Sequence, residues 1–112
     1  MQMIMFVLDD PDLLDQVLEA CYESGVTGAT IMESTGLHRR RKRVAMRYSF
    51  DNAPLEESGN YTLFAMVANE SIAENCLRAV EKVVGDLDNP NTGVFASWPL
   101  SIVKGFQKIK NS

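Results

Sequence analysis

One histidine, one tryptophan, four prolines and two cysteines are spread over 112 residues, and each scarcity removes a class of chemistry. With His38 as the single histidine and no Cys-x-x-Cys, a zinc site has almost nothing to be built from, so no metal site is expected. No partner for His38 can be identified either, and no nucleophile–base pair assembles, so no catalytic residues and no enzyme are expected. Cys21 and Cys76 fall on the apolar faces of two expected helices, where cysteines usually act as small core hydrophobes; a disulfide or metal pair is the lesser reading. Long apolar runs are also missing. Residues 3–8 are apolar but stop at Asp9-Asp10, too short to span a membrane and without the basic start and cleavage region of a signal peptide. The expectation is a cytoplasmic protein with no membrane insertion.

What remains is the composition of one ordinary globular domain over residues 1–112, large enough for a single core. Six methionines against five phenylalanines suit a forgiving core, because methionine fills irregular gaps. Charge is placed unevenly. Residues 38–47 hold six of the eleven basic groups and no acid, leaving five basic groups against fifteen acids elsewhere, a net charge of −10. A basic segment on an acidic body seeks an anion, while the body itself repels nucleic acid.

Periodicity predicts the elements. Residues 3–8 read as a fully buried strand, since they form a continuous apolar run of strand length. Asp10, Pro11 and Asp12 then open a helix that buries Leu13, Leu14, Val17, Leu18 and Cys21 and stops at Gly25. A second strand is expected over 27–35 and a third over 61–68, the latter apolar on both faces. Ser71 and Glu74 form a capping box for a second helix that ends at Gly85. A turn-rich loop containing Asn89-Pro90-Asn91 leads to a fourth strand over 93–98, with Pro99 stopping it or marking an edge.

The resulting order is βαββαβ, an α+β ferredoxin-like sandwich with both helices on one face of an antiparallel sheet. The open face lacks cover, so oligomerisation is expected. Between the second and third strands runs a long polar connection, residues 37–60, carrying His38, Arg39, Arg40, Arg41, Lys42 and Arg43. Connections of that length in compact domains are usually functional or disordered. Like charges, Pro54 and the lack of periodicity predict that 38–58 is mobile without a partner.

The stretch Gly25-Val26-Thr27-Gly28-Ala29-Thr30-Ile31-Met32-Glu33-Ser34-Thr35-Gly36 resembles the PII signalling family, which reads Gly-Ile-Thr-Gly-Met-Thr-Val-Thr-Glu-Val-Lys-Gly at this place. The segments 81–85, 93–95 and 103–105 are also similar to that family. The resemblance implies a homotrimer that binds an adenine nucleotide (ATP, ADP or AMP) in clefts between subunits, as an effector rather than a required cofactor. It implies that the long loop docks onto a target protein such as a transporter or metabolic enzyme. By the same resemblance Thr30, Gly36, Gly85, Thr92, Gly93 and Lys104 are ligand-binding residues, 85–93 is the phosphate-side loop, and residues 38–43 belong to the effector loop.

Several positions depart from the family pattern. Asp88-Asn89-Pro90-Asn91-Thr92-Gly93 replaces a glycine-rich Gly-Asp-Gly-Lys loop, and Gly93 stands at the lysine position. Phe106 takes the second C-terminal cationic position, and Arg40 replaces a glutamine that helps hold magnesium and a keto acid. Tyr48 lacks the surroundings of the family's modified tyrosine. Asp86 and Asp88 would repel a triphosphate unless basic groups compensate. The expectation is therefore a PII-like regulator rather than a standard nitrogen sensor. The alternative is a ferredoxin-like regulatory module for a small molecule that is not a nucleotide.

Overall fold

The computed structural model describes residues 1–34 and 59–106. Expectations placed on Gly36, on His38, Arg39, Arg40, Arg41, Lys42 and Arg43, and on Tyr48 and Pro54 lie outside the described residues. Strand β1 (Gln2–Leu8) is followed by a 3-10 turn (Pro11–Leu13), helix α1 (Leu14–Glu23) and strand β2 (Thr30–Ser34). Strand β3 (Asn60–Val67), helix α2 (Glu70–Val84) and strand β4 (Gly93–Pro99) complete the elements. The four strands form one sheet in the order β2-β3-β1-β4, and every neighbouring pair is antiparallel. This is an α+β architecture compatible with a ferredoxin-like fold.

Local chemistry fixes where the elements start and stop. The Asp10 carboxylate accepts from the Asp12 amide at 3.0 Å, so Asp10 caps the 3-10 turn that Pro11 opens, one turn ahead of α1. At the other end of α1, Gly25 takes φ +110°, its amide donates to Tyr22, and the Val26 amide donates to Cys21. Those two bonds form a Schellman ending, which needs a positive φ that glycine adopts without strain. Val26 is then buried directly beyond the turn.

Helix α2 starts differently from the sequence expectation. The cap is Asn69, whose side-chain oxygen accepts from the Ile72 amide at 3.0 Å, and Ser71 already lies inside the first turn. Asn69 and Ser71 both suit a cap, and an extended backbone at Asn69 decides between them. Asn69→Ala should lower stability by about 1 kcal/mol, whereas Ser71→Ala should change it little. Urea unfolding midpoints of the two variants check this, and the reverse ranking would restore Ser71 as the cap.

The core lies between the helices and one face of the sheet. Ile4, Phe6 and Leu8 of β1 and Leu63, Ala65 and Val67 of β3 pack with Val17, Cys21, Ala73, Cys76 and Val80 from the helices. Each fully buried side chain of the size of Phe6 or Leu8 contributes about 1.5–3 kcal/mol of transfer free energy. Strand β1 is therefore not buried throughout, as its apolar run suggested: burial alternates along it, and Met3, Met5 and Val7 face the other way. Strand β2 begins at Thr30 rather than at Thr27, and β3 and β4 each differ from expectation by one residue. Pro99 closes β4, a sheet edge where the ring costs no central ladder bond.

The second sheet face is apolar, and among the described residues no helix or strand covers it. Cross-strand register aligns Met3 with Met66 and Trp98, and Met5 with Phe64 and Ala96. None of these six residues is fully buried, and Met32 on β2 and Val94 on β4 are more than half exposed. Periodicity announced this face because Phe64 and Met66 alternate with the core residues of β3. Among the described residues no helix is long and apolar enough to cross a membrane.

Candidate functional site

The residues assigned by resemblance fall into two groups. The first gathers where the chain enters β2. Thr30 is the first residue of that strand and is exposed. With Gly28, Met3, Phe64, Met66 and Phe106 it lines a groove of about 350 Å³ that opens onto the bare sheet face. After β4 the chain runs back to this groove, where Gly105 and Phe106 form part of its wall. Lys104, immediately before them, is exposed. Its walls are mostly carbon, with Thr27 and Thr30 as the hydroxyl-bearing side chains on its rim, so it suits a flat, weakly polar group.

The second group is the loop between α2 and β4. Gly85 ends the helix at φ +90°, with its amide donating to the Glu81 carbonyl at 2.9 Å. Beyond it, the loop satisfies its own polar groups. The Leu87 amide donates to the Glu81 carboxylate at 3.0 Å, and the Asp88 amide donates to the Asp86 carboxylate at 2.9 Å. The Thr92 hydroxyl donates within the loop, with the Asn89 carbonyl at 2.9 Å and the Leu87 carbonyl at 3.3 Å. A phosphate approaching this loop meets amides already engaged by two carboxylates.

Gly93 has a separate reason to be glycine. At φ +140°, a Cβ would stand 2.1 Å from the Val7 carbonyl oxygen. The lysine of the family pattern is therefore excluded here by the close approach of β4 to β1, whatever the ligand.

The two groups do not meet within one chain. Thr30 lies on edge strand β2 and Gly93 on edge strand β4, with β3 and β1 between them. Three strand spacings, about 14 Å, separate those edges. They are also offset by three residues along the strands, since Thr30 aligns with Phe64 whereas Gly93 aligns with Leu8, the partner of Tyr61.

A polar cluster without a signature in the sequence ties β2 to β3 at the residues that flank the long connection. Ser34 and Asn60 are register partners, the Ser34 hydroxyl bonds the Asn60 side-chain oxygen, and it lies 2.7 Å from the Thr62 hydroxyl. Asn60 is only 5% exposed, the one buried polar residue among the described residues. The sequence offers only that Ser, Asn and Thr flank the long connection; nothing there specifies the register that joins them. This cluster holds the departure and return points of residues 35–59 side by side.

Among the described residues, no group of three or more His, Cys, Asp or Glu is placed to hold a metal ion. In comparisons with known proteins, the chain matches no family model and no curated relative.

Proposed function

We propose that the protein is a PII-like regulator that assembles as a homotrimer, senses a small anionic ligand in clefts between subunits, and acts on a target protein through its long basic loop. The fold in this reading is ferredoxin-like βαββαβ. The observation that carries it is the division of the candidate ligand residues between opposite sheet edges, combined with a bare apolar face. Within one chain the groove at Thr30 and the loop 85–93 are too far apart to grip one ligand. Packing of sheet faces between copies would cover Met3, Phe64, Met66 and Trp98 and would allow one copy's edge to approach another's. An adenine nucleotide suits the division, with its base in one copy's carbon-lined groove and its phosphates between another copy's loop 85–93 and basic groups such as Lys104.

A second reading draws on the loop itself. Its amides at Leu87 and Asp88 are occupied by carboxylates, and Asp86 and Asp88 add negative charge, which favours a smaller or less charged ligand than a nucleoside triphosphate. A non-nucleotide small molecule at the Thr30 groove satisfies that constraint.

Calorimetric titration with ATP, ADP, AMP and a keto acid separates the readings. The nucleotide reading expects binding of at least one adenine nucleotide, weakened by salt and by Lys104→Ala more than by Lys110→Ala. Mono- and diphosphates should bind at least as well as the triphosphate. Equal effects of the two lysine changes, or no heat with any nucleotide at millimolar concentration, would favour the non-nucleotide module.

A further inference from the structure

Cys21 of α1 and Cys76 of α2 meet inside the core with their sulfur atoms 3.5 Å apart, although 55 positions separate them in sequence. Both are free thiols. Apolar burial alone gives two cysteines no reason to face each other, because S–H is a weak donor and sulfur a weak acceptor. Ser24 adds a third polar group. Its hydroxyl donates to the Cys21 carbonyl at 2.7 Å and lies near enough to Cys76 to help lower that thiol. A hydroxyl proton can rotate between such acceptors.

This arrangement distinguishes the two thiols. When Cys76 ionises, the Cys21 S–H and the Ser24 hydroxyl can both donate to the thiolate, which holds Cys76 below the ordinary thiol range. The same pairing, with burial, pushes the Cys21 thiol up. Sharing one proton between the two sulfurs favours a thiolate beside a protonated thiol. A thiolate beside a protonated thiol is the combination of attacking and resolving sulfur found in redox-responsive sites.

Neither sulfur lines the nearest groove, so an oxidant reaches them through a small opening between the helices. A groove of about 600 Å³ runs between the helices, and Ala20, Ser24, Asn75 and Ala79 line it. Ala20 and Asn75 are the chain neighbours of the two cysteines. Cys21 is 8% exposed and Cys76 1%, so a peptide-sized disulfide is too large to reach either sulfur, whereas a small uncharged oxidant is not.

We infer that Cys21 and Cys76 form a dithiol modification site that a hydroperoxide oxidises to a disulfide clasp between α1 and α2. The Cys76 thiolate attacks one peroxide oxygen, the O–O bond breaks, and the departing hydroxide takes up a proton as water. Two electrons pass from sulfur to the peroxide, leaving Cys76 as a sulfenic acid. The Cys21 sulfur, losing its proton, then attacks that sulfur; the S–S bond forms, the S–O bond breaks and a second water leaves. Two thiols and one hydrogen peroxide thus become one disulfide and two waters. The sulfurs must close from 3.5 Å to about 2.05 Å, which side-chain rotation and a small helix adjustment supply.

The test uses the reduced, folded protein and hydrogen peroxide, followed by removal of the oxidant, unfolding and alkylation of remaining thiols. Peptide mass mapping should find the peptides of Cys21 and Cys76 joined, with almost all alkylatable thiol lost and then recovered with a dithiol reductant. Because the clasp closes a loop of 55 positions, about half the chain, the unfolding midpoint should rise on the order of 10 °C and fall again on reduction. Cys21→Ser should abolish the joined peptide and leave Cys76 as a sulfenic acid that a dimedone-type probe captures. Thiols that stay alkylatable, oxidation of both to sulfinic acids, or joining seen only when peroxide is added in urea would each overturn the inference. The wild-type arms decide it even if a serine variant folds poorly.

Discussion

Gly93→Ala should come close to abolishing the folded state, a far larger effect than glycine-to-alanine changes usually have. The added Cβ would stand 2.1 Å from the Val7 carbonyl oxygen and 3.2 Å from the Phe6 ring. Val7 belongs to β1, which is hydrogen-bonded on both sides, so its carbonyl cannot move without disturbing two ladders. The positive φ at Gly93 adds strain for any residue with a Cβ. Together these should cost on the order of 3–5 kcal/mol, a large share of the stability of a small domain. Gly85→Ala provides the control. It also has a positive φ, but a Cβ there would meet nothing within 4 Å, so only backbone strain of about 1–3 kcal/mol is expected. Comparable denaturant midpoints for the two variants would show that β4 does not approach β1 as described.

Phe64→Asp should leave the subunit folded and prevent its assembly. Phe64 sits on the bare face of β3, opposite Met5 and Thr30 in the register, and makes no part of the core under the helices. A carboxylate there stays hydrated in a lone subunit but would be buried without a partner in the proposed trimer, at a cost of several kcal/mol. Val67, three residues along the same strand, faces the helices and is 2% exposed. A charge at Val67 should therefore unfold the protein rather than dissociate it. Circular dichroism with light scattering separates the outcomes, and a Phe64→Asp variant with wild-type mass would remove this face from the interface.

The elements were legible because their signals were local. Asp10-Pro11, Gly25 and Gly85 punctuate the helices with residues whose backbone chemistry is nearly unambiguous, and the alternation in β3 separates Leu63, Ala65 and Val67 from Phe64 and Met66. Where two neighbouring signals competed, tertiary context chose, as at Asn69 over Ser71. The apolar run of β1 could not reveal that only Ile4, Phe6 and Leu8 would be buried, because apolar residues on a bare face look the same in sequence as core ones.

The candidate site was legible only in pieces. Thr30, Gly85 and Gly93 stood out through resemblance, but strand order alone places Thr30 and Gly93 on opposite edges. The role of Gly93 is likewise invisible until Val7 is brought beside it. The Cys21–Cys76 contact depends on how α1 packs against α2, and helical spacing predicts only that each cysteine faces inward. The Ser34, Asn60 and Thr62 cluster requires the β2–β3 register. Each of these is a long-range juxtaposition that local patterns do not encode.

In the proposed trimer the ligand residues become one site only when copies of the chain assemble over their open sheet faces. Sedimentation equilibrium of the wild-type protein at micromolar concentration tests it most directly. The account predicts a species of three times the 12.5 kDa chain mass, reduced to a single chain mass by Phe64→Asp. A wild-type protein that sediments as a 12.5 kDa monomer, with its sheet face open to water, would contradict it.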